Sequence, residues 1–241
     1  MRRVLQALRM MRLRELGIAR ESCPLCRSYF LVRLASTELG VRCPRCGASA
    51  VSMSLAGVLD ELAGDLQDLD VYELSSTGPL VRSLARTART LTTSEWFDDV
   101  PPGQFKDGIQ CQDVQRLTFP SAQFDLCTAT EVFEHVEDDR AGFRELCRVL
   151  RPGGKFIFTV PLGDDATVER TSLVDGRRIN TLPAEYHADR IRGHRVFVYR
   201  DYGMDITERL KECGFHDAYV AFPPLDLFGF SRPVVVAEKR A

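Results

Sequence analysis

The residues best suited by type and spacing to do chemistry are cysteines. Cys23-Pro-Leu-Cys26 and Cys43-Pro-Arg-Cys46-Gly47 are two C-x-x-C turns separated by sixteen residues. Such a turn aims two sulfurs at one point, and zinc takes four thiolates tetrahedrally. The spacing lies in the range of four-cysteine zinc sites. Cys23, Cys26, Cys43 and Cys46 are therefore the candidate metal ligands, with one structural Zn2+ expected. Two other readings stay open: a pair of redox dithiols, and iron in a rubredoxin-like site.

The segment between the turns, Ser28–Arg42, reads as strand, turn, strand, with Gly40 near the turn. Together with the cysteines it resembles a zinc ribbon. The other four cysteines, Cys111, Cys127, Cys147 and Cys213, stand alone among apolar residues. Isolated thiols of this kind behave as small hydrophobes and are expected in the core. Cysteines that bind metal or pack, rather than cross-link, point to a reducing cytoplasm.

The charge is uneven. Residues 1–50 carry ten Arg against three Glu, while the whole chain of 241 residues has a net charge of −2. The basic excess at one end and acidic excess at the other suggest two modules with different surfaces. Residues 1–20 place Val4, Leu5, Leu8, Met11 and Leu13 near helical spacing, broken by arginines. They read as a basic amphipathic helix, able to lie on RNA or an anionic membrane, or to pack on its own domain with a solvated Arg face. The unbroken apolar run of a secretory signal is missing. No apolar run is long enough for a transmembrane helix.

The remaining residues must build the frame. A helical stripe runs through Leu55, Val58, Leu59, Leu62 and Leu66. Short apolar runs then alternate with helical stretches. Strands are expected at Val71–Leu74, Leu91–Thr93, Ile109–Cys111, Phe124–Ala129 and Lys155–Val160. Helices are expected at Leu80–Arg89 and Ala141–Leu150, the latter stopped by Arg151-Pro-Gly-Gly154. A last helix, Ile206–Cys213, precedes strands at Tyr219–Phe222 and Val234–Glu238. This alternation predicts an α/β fold with a doubly wound, mainly parallel sheet. Such sheets bind ligands beyond the carboxyl ends of their strands. Residues 161–200 are the least regular part and read as an insertion on the substrate side.

Four segments then occur in a telling order. They are Val71-Tyr-Glu-Leu-Ser-Ser-Thr-Gly-Pro79, then Cys111-Gln-Asp113-Val114 with Leu117-Thr-Phe-Pro120, then Phe124-Asp-Leu-Cys-Thr-Ala-Thr-Glu-Val-Phe-Glu-His-Val136, then Arg148-Val-Leu-Arg-Pro-Gly-Gly-Lys-Phe156. This series resembles the class I S-adenosylmethionine-dependent methyltransferases, over roughly residues 70–161. The tail from His194 to Tyr202 and from Glu208 to Phe215 is similar to a group of these enzymes that carry an N-terminal zinc ribbon. The resemblance implies a Rossmann-like, seven-stranded sheet over residues 51–241, behind a ribbon at residues 21–50.

It also implies roles. The loop after the first strand, with Ser75, Ser76 and Gly78, would approach the cofactor's methionine and ribose. Glu73 keeps the family's acid before that loop, but only Gly78 remains of the glycines at alternate positions. Glu95 fits the acid that binds the ribose hydroxyls. Asp113, followed by Val114, matches the acid that accepts from the adenine amino group. Thr130 sits at the end of the fourth strand, beside the expected methionine. In these families the histidine at His135 more often has a structural role. A nicotinamide dehydrogenase is disfavoured because G-x-G-x-x-G is absent.

Methyl transfer from a sulfonium needs chiefly alignment, with a general base if the nucleophile carries a proton. Tyr186, His187, His194 and Tyr199 lie in or beside the insertion, and His187 is the candidate base. The expected activity is methylation of a small-molecule or metabolite acceptor. RNA is the alternative acceptor, given the basic ribbon module. A non-catalytic binding protein with a decayed cofactor loop is the third reading.

Overall fold

The computed structural model describes residues 13–163, 165–188, 195–230 and 232–241. The expected helix over residues 1–20 falls mostly outside them. Within its described part the chain makes a 3₁₀ turn, Leu13–Glu15, and then a strand, β1 (Gly17–Ala19), rather than a continuing helix. β1 pairs antiparallel with β2 (Leu31–Arg33), which pairs with β3 (Val41–Arg42). The expected strand–turn–strand between the C-x-x-C turns is thus present, in shorter form.

Next comes helix α1 (Ala50–Leu62), capped by Ser49, whose hydroxyl accepts from the Ser52 N–H at 3.3 Å. Strands β4 (Asp70–Glu73), β5 (Thr90–Glu95), β6 (Phe105–Lys106), β7 (Ile109–Cys111), β8 (Phe124–Thr130) and β9 (Leu150–Thr159) follow. Helix α2 (Pro79–Thr87) joins β4 to β5, and helix α3 (Asp139–Val149) joins β8 to β9. Residues 161–201 are less irregular than expected. They form antiparallel pairs: β10 (Val168–Glu169) with β15 (Arg200–Asp201), β11 (Thr171–Val174) with β12 (Arg177–Asn180), and β13 (Tyr186–Ala188) with β14 (Arg195–Phe197). Helix α4 (Ile206–Glu212) and strands β16 (Asp217–Ala221) and β17 (Val234–Glu238) complete the chain.

The large sheet has the order β16-β17-β9-β8-β4-β5-β7-β6. β7, β5, β4, β8 and β9 run parallel, while β17, β16 and β6 are antiparallel to their neighbours. This sheet therefore has eight strands among the described residues, not seven. The extra one is the two-residue edge strand β6, which folds back on β7 at the turn Asp107-Gly108, both with positive φ. Strand order reverses between β4 and β8, which opens a crevice above their carboxyl ends.

Apolar layers cover both faces. On one, α3 buries Phe143 and Leu146 beside Phe133, Phe156 and Phe158. Each such fully buried ring contributes about 1.5–3 kcal/mol. Gly142 is required there, because a Cβ would lie 2.9 Å from the Phe133 ring. On the other face, α1 shares one cluster with Val71, Leu126, Ile157 and Val236 of the sheet and with Cys23, Leu31 and Cys43 of the cysteine turns. The cysteine region is thus packed into the same apolar layer as the sheet. Arg82, Ser83 and Arg86 of α2 also bond to carbonyls of Cys46 and Leu25.

At the opposite end from the crevice, Arg151 bonds to Asp125 at 2.7 Å and to Asp70 at 2.9 Å, and Arg89 bonds to Asp70. These arginines hold the Asp70 carboxyl well below the usual carboxylate range. The Arg of the Arg-Pro-Gly-Gly segment therefore ties together the starts of β4, β8 and β9.

Candidate active site and cysteine cluster

A cavity of about 650 Å³ opens above the carboxyl ends of β4, β5, β7 and β8. That is within the range of small-molecule sites. Of the residues expected to hold a cofactor, Ser75, Gly78, Glu95, Asp113, Val114 and Thr130 line it. Glu73 and Ser76 do not.

The loop after β4 ends at Gly78, with φ at 128°, a conformation L side chains rarely adopt. A Cβ there would meet nothing within 4 Å, so the glycine keeps a bare backbone at the cavity wall. Pro79 then starts α2 with its fixed φ. Ser76 departs from the glycine pattern for a reason visible in space. Its N–H and hydroxyl both donate to one oxygen of Glu95, at 2.7 and 3.0 Å. Ser76 therefore orients Glu95 at the end of β5.

Glu73 is 1% exposed and turns inward, accepting from the hydroxyl of Thr128. Burial pushes its pKa up to about 8. It supports the loop from beneath instead of facing the cavity. Asp113 caps a 3₁₀ turn, accepting from the Gln115 N–H at 2.9 Å. Trp96, Gln112 and Gln115 complete this end. Trp96, the chain's single tryptophan, directly follows the expected ribose acid, which was its available signal.

The other end of the cavity is roofed by the insertion. His187, Val196 and Tyr199 line it opposite Glu131, His135 and Glu137. Tyr186 instead packs edge-on against Phe197, 5.4 Å between centroids, and is 43% exposed. His194 lies outside the described residues. His187 sits 3.7 Å from Glu134 and 3.6 Å from Glu185, and the Glu134 carboxylate raises its pKa. A raised pKa leaves less of the free imidazole available as a base.

The turn Phe133–His135 carries one acid, Glu134, to which the sequence analysis gave no role. Arg200, 3% exposed, clamps this turn from the insertion. Its guanidinium donates to the carbonyls of Val136 at 2.5 Å and Glu137 at 2.6 Å. Asp139 in turn accepts from Tyr202 at 2.8 Å and from Arg209 at 2.9 and 3.0 Å. Burial would push the Asp139 carboxyl up, but Arg209 and Arg200 outweigh it and the group titrates low.

The two C-x-x-C turns form a second constellation. Their four sulfurs all lie within 4.8 Å of one another, with Cys26 and Cys43 at 3.4 Å and Cys23 and Cys46 at 3.7 Å. The turns repeat one geometry. Arg27 and Gly47, each following the second cysteine, take positive φ of 56° and 77°. Their N–H groups bond back to the Cys23 and Cys43 carbonyls at 2.8 and 2.9 Å. Four thiols converging in this way suit a tetrahedral ion. The other four cysteines are buried in the core, as isolated thiols among apolar residues should be.

Parts of the chain are similar to known proteins. Residues 76–158 match a family model described as a methyltransferase domain. A ubiquinone biosynthesis O-methyltransferase from Coxiella burnetii is 36% identical over 56 residues, 23% of this chain and 24% of that protein. An O-methyltransferase from Pyrenophora dematioidea is 29% identical over 119 residues, 46% of this chain and 43% of its own. The chain thus spans less than half the length of these curated relatives. Among solved structures, an S-adenosylmethionine-dependent methyltransferase from Mesorhizobium loti has a TM-score of 0.49 at 17% identity, covering 76% of this chain and 96% of that one. A 1,6-didemethyltoxoflavin-N1-methyltransferase from Burkholderia thailandensis has a TM-score of 0.48 at 18% identity, covering 80% and 79%. Residues 76–158 are thus the part of the chain that is similar to a methyltransferase domain.

Proposed function

We propose that the chain is an S-adenosylmethionine-dependent methyltransferase acting on a small-molecule acceptor, with the hydroxyl oxygen of that acceptor as the methylated atom. The observation that carries this reading is the single cavity edge on which Gly78, Glu95, Asp113 and Thr130 meet. The bare backbone at Gly78 leaves room for close approach, and two acids face positions suited to hydroxyl and amino donors. The cofactor supplies an electrophilic methyl group. The protein's part is to bind and orient. Ser76 fixes Glu95 toward a ribose, Asp113 presents an acceptor to an adenine, and Thr130 borders the methionine end. The roof of Val196, Tyr199 and His187 keeps water from the acceptor end and aligns it.

The two oxygen-methylating relatives favour an oxygen acceptor. Ser75 and Thr77 line the cavity and leave it open, which favours this reading over the decayed-loop alternative. We further propose one zinc ion on Cys23, Cys26, Cys43 and Cys46, in a structural role, since these thiols are packed into the apolar layer shared with the sheet. No helix among the described residues is long and apolar enough to cross a membrane.

Calorimetric titration with S-adenosylhomocysteine tests the cofactor site. Binding is expected, and Glu95→Gln and Asp113→Ala are each expected to weaken it roughly tenfold or more, the worth of a hydrogen bond to a charged group. A folded protein that binds none overturns the reading. Methylation of bulk RNA in place of small hydroxylated acceptors would transfer the activity to the RNA alternative.

A further inference from the structure

Glu134 is 1% exposed, and neither of its carboxylate oxygens has a hydrogen-bond partner. A buried polar group without a hydrogen bond is expensive. Two histidines aim at it. His135 Nε2 and His187 Nδ1 each lie 3.7 Å from Glu134 Oε1. The three groups offer ligand atoms within 4.8 Å of one another.

The tautomer of His135 sharpens the point. Its Nδ1 lies 2.8 Å from the Phe197 carbonyl, which only accepts, so Nδ1 carries the proton. Nε2, the other ring nitrogen, faces the carboxylate oxygen. A cation seated between these groups would meet ligand atoms from each of them. Spacings of 3.7 Å are too long for a hydrogen bond, and a first-row ion with bonds of about 2.0–2.2 Å holds adjacent ligands roughly 3–3.5 Å apart. A metal-bound histidine also commonly donates its other N–H to a backbone carbonyl.

A second acid is at hand. Glu131 gives one oxygen to Arg232 at 2.7 Å, and its other oxygen is buried without a partner. Its φ of 52° is rare for a residue with a side chain, a strain that clusters at functional sites.

We infer that Glu134, His135 and His187 form a binding site for one divalent first-row metal ion at the acceptor end of the cavity. The donor set of two imidazoles and a carboxylate suits manganese, iron, cobalt or zinc rather than calcium. Glu131, His135 and His187 line the cavity, so the ion's remaining positions face it. The ligand class it takes there is an acceptor hydroxyl, alone or beside a second oxygen. Such an oxygen releases its proton to water more readily. Its lone pair then forms the bond to the methyl carbon as the carbon–sulfur bond breaks and that electron pair stays on sulfur. This acceptor role rests on the methyl-transfer reading, whereas the ion site does not.

The test is titration of Mn2+ into the full chain carrying one equivalent of zinc, which the four thiolates hold in preference, followed by electron paramagnetic resonance of the free ion. Manganese is a poor competitor for thiolates, so the cysteine cluster keeps its zinc. One bound Mn2+ per chain is expected, weakened about tenfold or more by Glu134→Gln and by His187→Ala. His187 is partly exposed, so its removal leaves the fold intact. Absence of Mn2+ binding in the folded protein, or unchanged affinity in both variants, overturns the site. A parallel S-adenosylhomocysteine titration separates the two readings: Mn2+ bound without it keeps the ion site and sinks methyl transfer.

Discussion

Ser76 donates twice to Glu95, through its N–H at 2.7 Å and its hydroxyl at 3.0 Å. The pair locks the loop after β4 to the end of β5. Ser76→Gly keeps the N–H and removes the hydroxyl. S-adenosylhomocysteine affinity should fall about threefold to tenfold, for the loss of one hydrogen bond worth about 1 kcal/mol or somewhat more. Calorimetry reads this directly. Unchanged affinity would show that Glu95 is oriented by other means.

Asp139 joins α3 to Arg200, Tyr202 and Arg209. Removing one partner of a buried ion pair costs about 3–5 kcal/mol, because the others are left uncompensated. Asp139→Ala should lower unfolding stability by about that amount, measured by urea denaturation. A loss below about 1 kcal/mol would mean that water replaces the carboxylate.

Glu73 makes stability depend on pH. Its folded pKa of about 8 stands above the reference value of 4.5. The folded state therefore binds the extra proton. The stability tied to Glu73 is complete below about 4.5 and is lost as pH rises through about 8. Glu73→Gln stays neutral throughout. Its stability relative to the parent protein should rise between about pH 5 and about pH 8.5 in urea titrations. A constant difference across that range would place the Glu73 pKa near the ordinary value.

Zinc should stabilise more than the cysteine turns, because Cys23 and Cys43 lie in the same apolar layer as Val71 and Ile157. At a free ion concentration a hundredfold above its Kd, a bound ion stabilises by about 2.7 kcal/mol. Chelation, or Cys43→Ser, should remove one zinc per chain and lower the melting temperature of the whole domain. Elemental analysis with calorimetry reads both. A full complement of zinc in Cys43→Ser would remove these cysteines as ligands.

Much of the frame was legible in sequence. Ile109–Cys111 and Val234–Glu238 form strands at the expected bounds. Helix Ile206–Glu212 differs from expectation by one residue. Apolar runs and their stops are local properties, so local reading finds them. The pairs within residues 161–201 escaped because their residues are mostly exposed and carry no apolar alternation. Strand β6 escaped because two residues hold no period at all.

The sequence alone determined what chain neighbours decide. The C-x-x-C turns each place two thiols within a few residues. Gly78 ends the loop that needs a bare backbone, and the strand–helix alternation dictates a mainly parallel sheet. Tertiary structure decided what depends on distant segments meeting. Glu73 and Thr128 come together on adjacent strands, which draws that acid away from the cavity. His187 reaches Glu134 and His135 only because Arg200 fastens the insertion onto their turn through the carbonyls of Val136 and Glu137. No spacing along the chain encodes that meeting. Packing of the insertion against the sheet's crevice brings the groups together.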